Sequence, residues 1–575
     1  MRVYIVMAGL VPAIHSSCLA LPKDVDARNK CGHDESGQQS NRGGPKKALA
    51  SAREADRQKR RRPSGEPRED AMCKRCDAGH PHDHHSISRR DLMKSAAAVG
   101  AVAATGAALF NARPARAQAG PPAGTGSAGR RYVIRGGAVL SMDSAVGDFD
   151  EADVLVDGKN IAVVGRNVNA GDAQVIDAKG MIVMPGFIDT HHHQFETALR
   201  SFLADGLLFN DGQPHGAVNY FDYILGKFAG VYRPEDVYIN ILFGSLSQLD
   251  AGVTSVLDIS QIHHSPEHTD AAVKGLADSG RRAALGYFEG QGDRSKYPDD
   301  AARVKKQHFS SPDQLLTMIM GGELYIPGYE KPWRIGRDLD LPVAAHVFGN
   351  FGIPKAIDER IAAKALGPDL HFVHMTLMSD AHWKAIADAG VTVSIAVPIE
   401  MTMRHGTPPI IKAMQMGVEP SLSSDVECTM TADFFTQMRS MMTLQRMIVN
   451  ERALAGDKNP PKLLTSRDVI RYATVNGAKH LRLDKKIGTL TPGKEADIVM
   501  LDANAINVAP LNHVPGAVVT MMDRSNVDTV VVAGKVRKWK GRLLDADLPK
   551  LRGELEASRD YLFKAAKVER DLFRM

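Results

Sequence analysis

The middle of the chain carries short runs of apolar residues that alternate with stretches of helical spacing. Continuous apolar runs of this length are typical of parallel strands that are buried on both faces. Eight such runs, interleaved with helices, predict an α/β fold that contains a (β/α)₈ TIM barrel of roughly 300 residues. In chain order they read MIVMPGFID, TSVLD, RAALGYFE, LLTMIMGGE, LPVAAHV, LHFVH, VTVSIAV and PSLSSD.

Both flanks of this region alternate apolar and polar residues in short steps, the pattern of strands with one exposed face. The first flank, residues 131–178, has Gly or Asp-Gly at its turns and predicts a small antiparallel unit. The second comprises residues 496–502 and 527–544. Because the flanks enclose the barrel region, we expect them to combine into one small β-sandwich. The Met-rich stretch Phe434 to Ile448 has the spacing of a core-facing helix.

The composition is that of a folded protein and excludes several other classes of protein. Of the 575 residues, 43% are hydrophobic and 24% are charged, which excludes a collagen, a coiled coil and a wholly disordered chain. The net charge of +5 comes from residues 1–117, which hold 21 Lys and Arg against 12 Asp and Glu. From residue 118 onward the sequence is weakly acidic and has no Walker loop, dinucleotide fingerprint or basic aromatic surface. Nucleic acid and nucleotide cofactors are therefore disfavoured.

A paired arginine and a weakly apolar segment precede the region of predicted strands. The chain reads SRRDLMK from Ser88, continues with an Ala-rich run, and reaches the cleavage motif Ala115-Arg116-Ala117. This layout predicts a twin-arginine signal peptide over residues 72–117 rather than an amphipathic helix, because the run lacks a polar stripe. The run is too short and too rich in Ala and Gly to be a permanent membrane anchor. We therefore expect the twin-arginine machinery to export the folded protein to the periplasm or beyond the cell.

Residues 1–71 are polar and lack periodicity, and an export signal is hard to recognise behind so long an extension. We interpret them as a non-native or disordered extension, with translation starting at Met72. A separate leader over residues 1–20 is the alternative interpretation.

The five cysteines fall mostly outside the predicted mature chain. Cys73 and Cys76 form a CxxC that precedes four histidines, a spacing that can bind zinc, but they lie in the segment expected to be cleaved. Cys428 is the one cysteine from residue 118 onward, so no intrachain disulfide is expected there.

Histidines and an aspartate end several of the predicted barrel strands. In PGFIDTHHH, His191 and His193 are two residues apart and project to one face of a strand, so both can reach one metal ion. His346 ends LPVAAH, His374 ends LHFVH and Asp425 ends PSLSSD. A single histidine on an apolar face is usually a satisfied core residue. Several such strand ends predict a shared metal site, because active sites of these barrels lie at the C-terminal ends of the strands.

These motifs, together with the closing segment ATVNGAKHLRLDKKIGTLTPGKEADIVMLD, resemble the amidohydrolase superfamily over essentially all of residues 131–544. The nearest branch is that of the cytosine deaminases and triazine chlorohydrolases. The resemblance implies a distorted (β/α)₈ barrel with a composite β-sandwich. We therefore expect sandwich segments over residues 118–187 and 485–545, the barrel over 188–484, and a helical tail over 546–575.

The same resemblance implies roles for the strand-end residues. His191, His193, His346 and Asp425 would hold one divalent metal ion, with zinc favoured over iron, and His374 would lie beside it. Neutral imidazoles and one carboxylate suit such an ion and leave a position for water. Asp425 can take a proton from that water and deliver it to the leaving group, while His374 donates a hydrogen bond to the substrate. The alternative for Asp425 is a structural helix cap.

One departure from this branch is a missing carboxylate after the fifth barrel strand. Deaminase-like relatives show HxxE there, and the Glu shuttles protons to a ring nitrogen, whereas this chain reads HVFG from His346. Substitutes are Glu323, Glu400 and Glu427. Glu323 is the first choice, because a carboxylate that ends an apolar strand is costly unless it is paired or used. A second metal ion bridged by Glu323 is left open.

Other residues that follow the strands are candidates for substrate contact, with solvated loop positions as the alternative. The loop over residues 201–223 carries several aromatic residues and can act as a lid. The individual candidates are Asp258, His263, His264, Glu289, Glu400 and His405.

The favoured function is that of a metal-dependent hydrolase in which a metal-activated water attacks a non-peptide C–N bond, or a C–Cl bond, of a cyclic or aromatic small molecule. An amidase or dipeptidase-like hydrolase of linear amides is the first alternative, because it needs no protonation of a ring nitrogen. A catalytically silent barrel that acts as a binding protein is the alternative from another class, although such a chain should have lost ligands. A homo-oligomer is left open.

Overall fold

The computed structural model describes residues 120–573, and the structural statements below concern this part of the chain. Its strands form two sheets, one of eight strands and one of nine. The interpretations of residues 1–117 as an upstream extension, a signal peptide and a CxxC motif fall outside the described residues.

The strands are numbered β1 to β17 in chain order. They are β1 Arg131–Val139, β2 Phe149–Asp157, β3 Asn160–Gly165, β4 Gln174–Asp177, β5 Met181–Pro185, β6 Phe187–His192, β7 Val253–Ser260, β8 Arg282–Tyr287, β9 Leu316–Gly321, β10 Val343–Phe348, β11 Leu370–Thr376, β12 Thr392–Ile395, β13 Ser421–Leu422, β14 Ile498–Asp502, β15 Val527–Val532, β16 Lys535–Trp539 and β17 Arg542–Leu543.

Helices connect the strands and flank them. The α-helices of the described residues are Pro234–Asp250, Pro266–Asp278, Ala301–His308, Glu330–Asp338, Ile353–Ala362, Asp380–Asp388, Val397–Thr402, Ile410–Gln415, Phe434–Leu454, Ser466–Ala473, Val475–His480, Val514–Gly516 and Leu548–Ala565. Short 3₁₀ and π segments are Gln194–Leu199, Pro214–Gly216, Tyr220–Phe228, Ala229–Val231, Ala517–Met521 and Arg524–Asn526.

Strands β6 to β13 form the barrel. They lie side by side in chain order and every neighbouring pair is parallel. At least one α-helix separates each strand from the next along the chain. The two edges of the sheet meet where His192 and Asp425 form a parallel bridge, so the barrel is nearly closed. The predicted α/β fold with a (β/α)₈ barrel is confirmed.

The first predicted barrel strand, MIVMPGFID, divides at Gly186. The residues before Gly186 form β5 in the nine-stranded sheet, and those after it begin β6 of the barrel. A Cβ atom at Gly186 would lie 2.3 Å from Cγ2 of Thr254, so the backbone passes between the sheets where a side chain has no room. The run is apolar throughout because both sheets bury it.

The nine-stranded sheet combines both flanks of the barrel. Its order is β17-β16-β15-β14-β5-β1-β2-β3, and β4 also pairs with β1. The expectation of a purely antiparallel N-terminal unit is wrong, since β4 and β5 run parallel to β1. This arrangement is possible because β4 pairs with the first half of β1 and β5 with the second half. The sheet has a core of its own that includes Ile134, Val154 and Ile498.

Two long helices complete the described chain. The Met-rich stretch lies in the helix Phe434–Leu454, which buries Phe435, Met438 and Met441 as predicted. The helix Leu548–Ala565 buries Leu562 and Phe563 in the main core. Across residues 120–573, no helix combines the length and the apolar character needed to cross a membrane.

A buried arginine joins the barrel to the nine-stranded sheet. Arg282 begins β8, and its side chain is 1% exposed. Its Nη2 donates to Oε2 of Glu495 at 2.6 Å, and its Nε donates to Oδ2 of Asp497 at 3.1 Å, both in the segment that leads into β14. Three charges are therefore buried together at the junction, and Arg282 compensates both carboxylates, with Lys159 as a second cation 3.5 Å from Glu495.

Replacement of Arg282 by Met should lower the free energy of unfolding by about 3–5 kcal/mol, because the buried carboxylate of Asp497 loses its cation and Glu495 keeps only Lys159, 3.5 Å away. Denaturant unfolding measures the change. Arg337→Met is the control, since it breaks a partly exposed ion pair with Asp369 and should cost about 1 kcal/mol or less. Equal losses in the two variants would show that Arg282 does not hold the junction together.

Candidate metal centre

Four strand ends bring four histidines and one aspartate together. His191 lies on β6 and His193 directly follows it, His346 and His374 lie on β10 and β11, and Asp425 follows β13. Nε2 of His191 is 3.0 Å from Nε2 of both His193 and His346. Oδ1 of Asp425 is 3.5 Å from Nε2 of His191 and 3.7 Å from Nε2 of His193. All of the predicted metal ligands therefore meet at the C-terminal end of the barrel.

The backbone at Asp425 is part of the closure of the barrel. Its N–H donates to the carbonyl oxygen of His191 at 3.0 Å, and its own carbonyl accepts from the N–H of His193 at 2.8 Å. Asp425 has a left-handed backbone, with φ of 63°, and His374 another, with φ of 73°. For residues other than glycine this conformation costs about 1–3 kcal/mol and persists where the surroundings enforce it. The bridge thus fixes Asp425 against His191 and His193.

Hydrogen bonds at Nδ1 orient three of the imidazoles. Nδ1 of His193 donates to the carbonyl oxygen of Ile259 at 2.9 Å, and Nδ1 of His346 pairs with Oε1 of Glu323 at 2.5 Å. Nδ1 of His374 is 3.0 Å from Oε1 of Glu400. Partners of this kind fix the tautomer and the rotation of a ligating imidazole. They leave Nε2 of each ring facing the centre of the cluster.

Burial controls the charges of the cluster. It lowers the pKa values of His191, His193 and His374 well below their usual range, so these imidazoles are neutral, the form that binds metals. Burial also opposes a charge on His346, but the nearby Glu323 carboxylate outweighs it and raises the pKa of His346. Burial raises the pKa of Asp425 to about 7. A carboxylate in such surroundings is stabilised by a cation.

The donor set fits a divalent cation. Nitrogen ligands that lie about 2.0–2.1 Å from one zinc ion are roughly 3.0–3.4 Å apart. The two separations of 3.0 Å between Nε2 of His191 and its neighbours agree with this value. Oδ2 of Asp425 is buried and has no hydrogen-bond partner among the described residues. His191, His193 and Asp425 place one ligand atom each within 4.8 Å of one another.

Glu323 lies behind His346 rather than on the open side of the cluster, where the expected substitute carboxylate would contact a substrate. Its Oε2 accepts from the backbone N–H of His346 at 3.1 Å, in addition to the contact of its Oε1 with the ring. Both oxygens therefore serve His346. A carboxylate at a strand end can either contact a substrate or form hydrogen bonds within the protein, and Glu323 does the latter.

The other two substitute carboxylates are also engaged. Glu400 contacts His374, and its Oε1 accepts from the N–H of Ala396 at 3.0 Å. Glu427 accepts hydrogen bonds from Nε of Arg200 at 3.0 Å and from Nη2 of Arg200 at 2.7 and 2.9 Å.

The position of the missing carboxylate has no room for a side chain. A Cβ atom at Gly349 would lie 2.6 Å from Cβ of Leu377 and 2.7 Å from its carbonyl oxygen. The backbone of Gly349 also donates to the carbonyl oxygen of Thr376 at 3.0 Å. Glycine at this position allows the loops after β10 and β11 to pack closely.

A cavity of about 430 Å³, partly open to solvent, lies above the cluster. Among the described residues, its lining includes no lysine and no arginine. Besides His193, His346, His374 and Asp425, the lining residues are Leu208, Tyr220, Phe221, Leu225, Gln261, Tyr325, Phe348, Ile399, Met403, His405 and Val426.

The loop over residues 201–223 covers part of the cavity. It contributes Leu208, Tyr220 and Phe221 to the lining. The N–H of Leu208 donates to the carbonyl oxygen of Met403 at 3.0 Å, and Nη1 of Arg404 donates to Asp211 at 2.6 Å. The segment after β12 therefore holds this loop in place.

The individual candidates from the sequence divide into two groups. Asp258, His263 and His264 are buried, Glu289 is half-buried, and all four lie outside the lining. His263, for example, pairs with Thr269 at 3.0 Å. His405 does line the cavity. Sequence reasoning missed Gln261 and Tyr325, because isolated polar residues in irregular loops carry no periodic signal. It also missed the pairing of Glu400 with His374, which only the packing of the helix Val397–Thr402 produces.

Comparison with known proteins agrees with this geometry. Residues 182–537 match the amidohydrolase family, and residues 86–106 match the twin-arginine translocation pathway signal sequence. The chain is 25% identical over 452 residues to a 5'-deoxyadenosine deaminase of Methanosarcina mazei, covering 75% of this chain and 98% of that protein. The signal directs the export of folded protein.

Two solved structures share the fold. An adenosine deaminase from Xanthomonas campestris with bound zinc superposes with a TM-score of 0.64 at 21% identity, covering 76% of this chain and 100% of that one. An atrazine chlorohydrolase from Arthrobacter aurescens TC1, complexed with zinc, gives 0.61 at 21% identity, covering 74% and 100%. Since the family match spans well over half of the sequence, the chain belongs to the amidohydrolase family and is a hydrolase that acts on carbon–nitrogen bonds.

Proposed function

We propose that this protein is an exported zinc hydrolase that cleaves a non-peptide C–N bond of a neutral cyclic or aromatic small molecule. The observation that carries the proposal is the cluster of His191, His193, His346 and Asp425 at the floor of a largely apolar cavity. Because no lysine or arginine is among the described lining residues, the cavity favours a substrate without phosphate or carboxylate groups. The named relatives act on adenosine-type nucleosides or on a triazine, which are ring compounds of this kind.

The four ligands would supply three neutral imidazoles and one carboxylate to the ion. A divalent cation held by this set lowers the pKa of a coordinated water towards about 7. Asp425, whose buried Oδ2 has no hydrogen-bond partner among the described residues, would take a proton from the attacking water and return it to the departing nitrogen. The hydrogen bonds that close the barrel hold its backbone, so its carboxylate keeps one position through both transfers.

His374 acts as a hydrogen-bond donor to the substrate. Burial raises the pKa of Glu400 well above its usual range and lowers that of His374 well below, so the pair is neutral. The carboxylic O–H of Glu400 then donates to Nδ1 of His374, and the ring carries its proton at Nε2. Nε2 lies 3.7 Å from Oδ2 of Asp425, so this N–H faces the place where the substrate is attacked.

One observation favours the alternative of an amidase that opens a linear amide. The chain has glycine at position 349, where a ring-protonating carboxylate is expected, and close packing against Leu377 leaves no space for one. A linear amide needs no protonation of a ring nitrogen. The apolar lining favours the ring substrate over this alternative, since Phe221, Phe348 and Ile399 offer surfaces for a flat molecule.

Export places the activity outside the cytoplasm. We propose a periplasmic or secreted enzyme whose mature chain begins after Ala117, because the twin-arginine signal is followed by the A-x-A motif. In it, residues 188–484 form the catalytic barrel between the sandwich segments 118–187 and 485–545. The proposed reaction requires a single metal ion. Both oxygens of Glu323 contact His346, so Glu323 does not bridge a second ion.

Glu323→Gln should weaken metal binding about 10–100-fold, because His346 loses the charged partner of its Nδ1. Zinc content after dialysis against graded chelator, measured by mass spectrometry, checks this. Glu400→Gln is the matched control, since Glu400 supports His374 outside the ligand set and its loss should leave the zinc content unchanged. Equal losses of zinc in both variants would contradict this ligand set.

The alternative of a catalytically silent barrel has its own test. It would be supported if the native protein binds no metal and His191→Ala leaves its properties unchanged.

Zinc-loaded protein should release ammonia from at least one aminated heterocycle among adenosine, 5'-deoxyadenosine, cytosine and amino-triazines. Asp425→Asn should lower kcat about 10²–10⁴-fold, because it removes the group that moves the proton. An ammonia assay measures both, and a chlorinated triazine tests chloride release in parallel. Turnover confined to linear amides or dipeptides would replace the proposed function with the amidase alternative.

A further inference from the structure

His405 is a buried residue in the lining of the cavity. It follows β12 in the loop after the helix Val397–Thr402 and is 6% exposed. Neither Nδ1 nor Nε2 has a partner among the described residues. Its ring lies 4.6 Å from the ring of His374 between centroids, nearly perpendicular to it, and 6.3 Å from the ring of Phe348.

The position of His405 is close to the reacting end of the cavity. One ring nitrogen of His405, one of His374 and a carboxylate oxygen of Asp425 all lie within 4.8 Å of one another. A molecule attacked beside Asp425 and His374 is therefore within hydrogen-bond reach of His405 as well.

Two other polar residues of the lining, Tyr220 and Gln261, already have hydrogen-bond partners in the protein. The hydroxyl group of Tyr220 donates to Oε1 of Glu196 at 2.7 Å. Nε2 of Gln261 donates to Oε1 of Glu289 at 3.0 Å and contacts the Tyr325 hydroxyl at 3.4 Å. His405 differs from them because its polar atoms have lost water without gaining a protein partner.

The three carboxylates considered as substitutes for the missing Glu are engaged too. Glu323 pairs with His346, Glu400 pairs with His374, and Glu427 binds Arg200. Gly349 has no room for a side chain of its own. A group other than these three carboxylates and residue 349 must therefore contact the heteroatom of the substrate.

We propose that His405 donates a ring N–H hydrogen bond to the electronegative substrate atom that is bonded to the attacked carbon, the ring nitrogen in an aminated heterocycle. This inference rests on the proposed function and names the residue that takes the place of the missing carboxylate. The neutral imidazole always carries one N–H, so the contact requires no change of protonation. Negative charge develops on that atom as the carbon becomes tetrahedral, and a donor in a buried site stabilises it strongly.

Two variants of His405 test the proposal. His405→Phe keeps the ring and its packing against His374 and Phe348 but removes the donor. Removal of one such donor lowers kcat about 10²–10³-fold. We therefore expect this decrease in the kcat of His405→Phe, with KM changed less than about threefold. His405→Gln retains an N–H donor and should recover at least about tenfold of the loss. His382→Phe is the control, since His382 is 7% exposed on the helix Asp380–Asp388 and is not among the cavity residues.

The measurements are kcat and KM for the heterocycle that the wild-type enzyme hydrolyses, together with the zinc content of each variant. Activity of His405→Phe equal to that of His382→Phe overturns the inference and leaves the proposed function intact. A loss of zinc in His405→Phe also overturns it, because His405 is then a metal ligand with His374 and Asp425. If wild-type protein hydrolyses no heterocycle, the proposed function fails first and this inference fails with it.

Discussion

The structure depends on the backbone hydrogen bonds that join β6 to the segment after β13. Asp425 donates to His191 and accepts from His193, so the contact that closes the barrel is also the contact that assembles the donor set. The ligands come from opposite ends of a sheet of eight strands, and no local interaction could bring them together. The left-handed backbone of Asp425 is tolerated because this closure over-determines it.

The charges of the cluster depend on burial and on hydrogen-bond partners next to this closure. Burial keeps His191, His193 and His374 neutral. The Nδ1 atoms of His193, His346 and His374 are held by a carbonyl group or a carboxylate, so that the Nε2 atoms converge. Asp425 brings negative charge into an apolar environment, which is unfavourable unless a cation shares the site. The floor of the cavity therefore attracts a metal ion, while its walls, with Phe221 and Phe348 among them, remain suited to an uncharged molecule.

The barrel and the ligand cluster could be predicted from the sequence because both follow simple repeats. Buried parallel strands read as apolar runs, and His191 and His193 are two residues apart on one of them. The division at Gly186 could not be predicted, since the run is equally apolar in both sheets. The orientation of Glu323 could not be predicted either. A residue at a strand end can face the cavity or the neighbouring strand, and the register between the strands determines which of the two it faces. His405 was a candidate for substrate contact from the sequence, but it lies in an irregular loop, where no spacing rule could distinguish it from the other candidates.

The pairing of β5 with β14 has a consequence for how the chain acquires its structure. These strands join residues roughly 300 positions apart, and β14 lies between β5 and β15 in the sheet. The N-terminal strands therefore cannot complete their sheet until the ribosome has released almost the entire polypeptide, and such distant pairing slows the search for the native state. Folding must then finish in the cytoplasm after synthesis, before transport. An export route that accepts only folded cargo acts as a checkpoint on that last step.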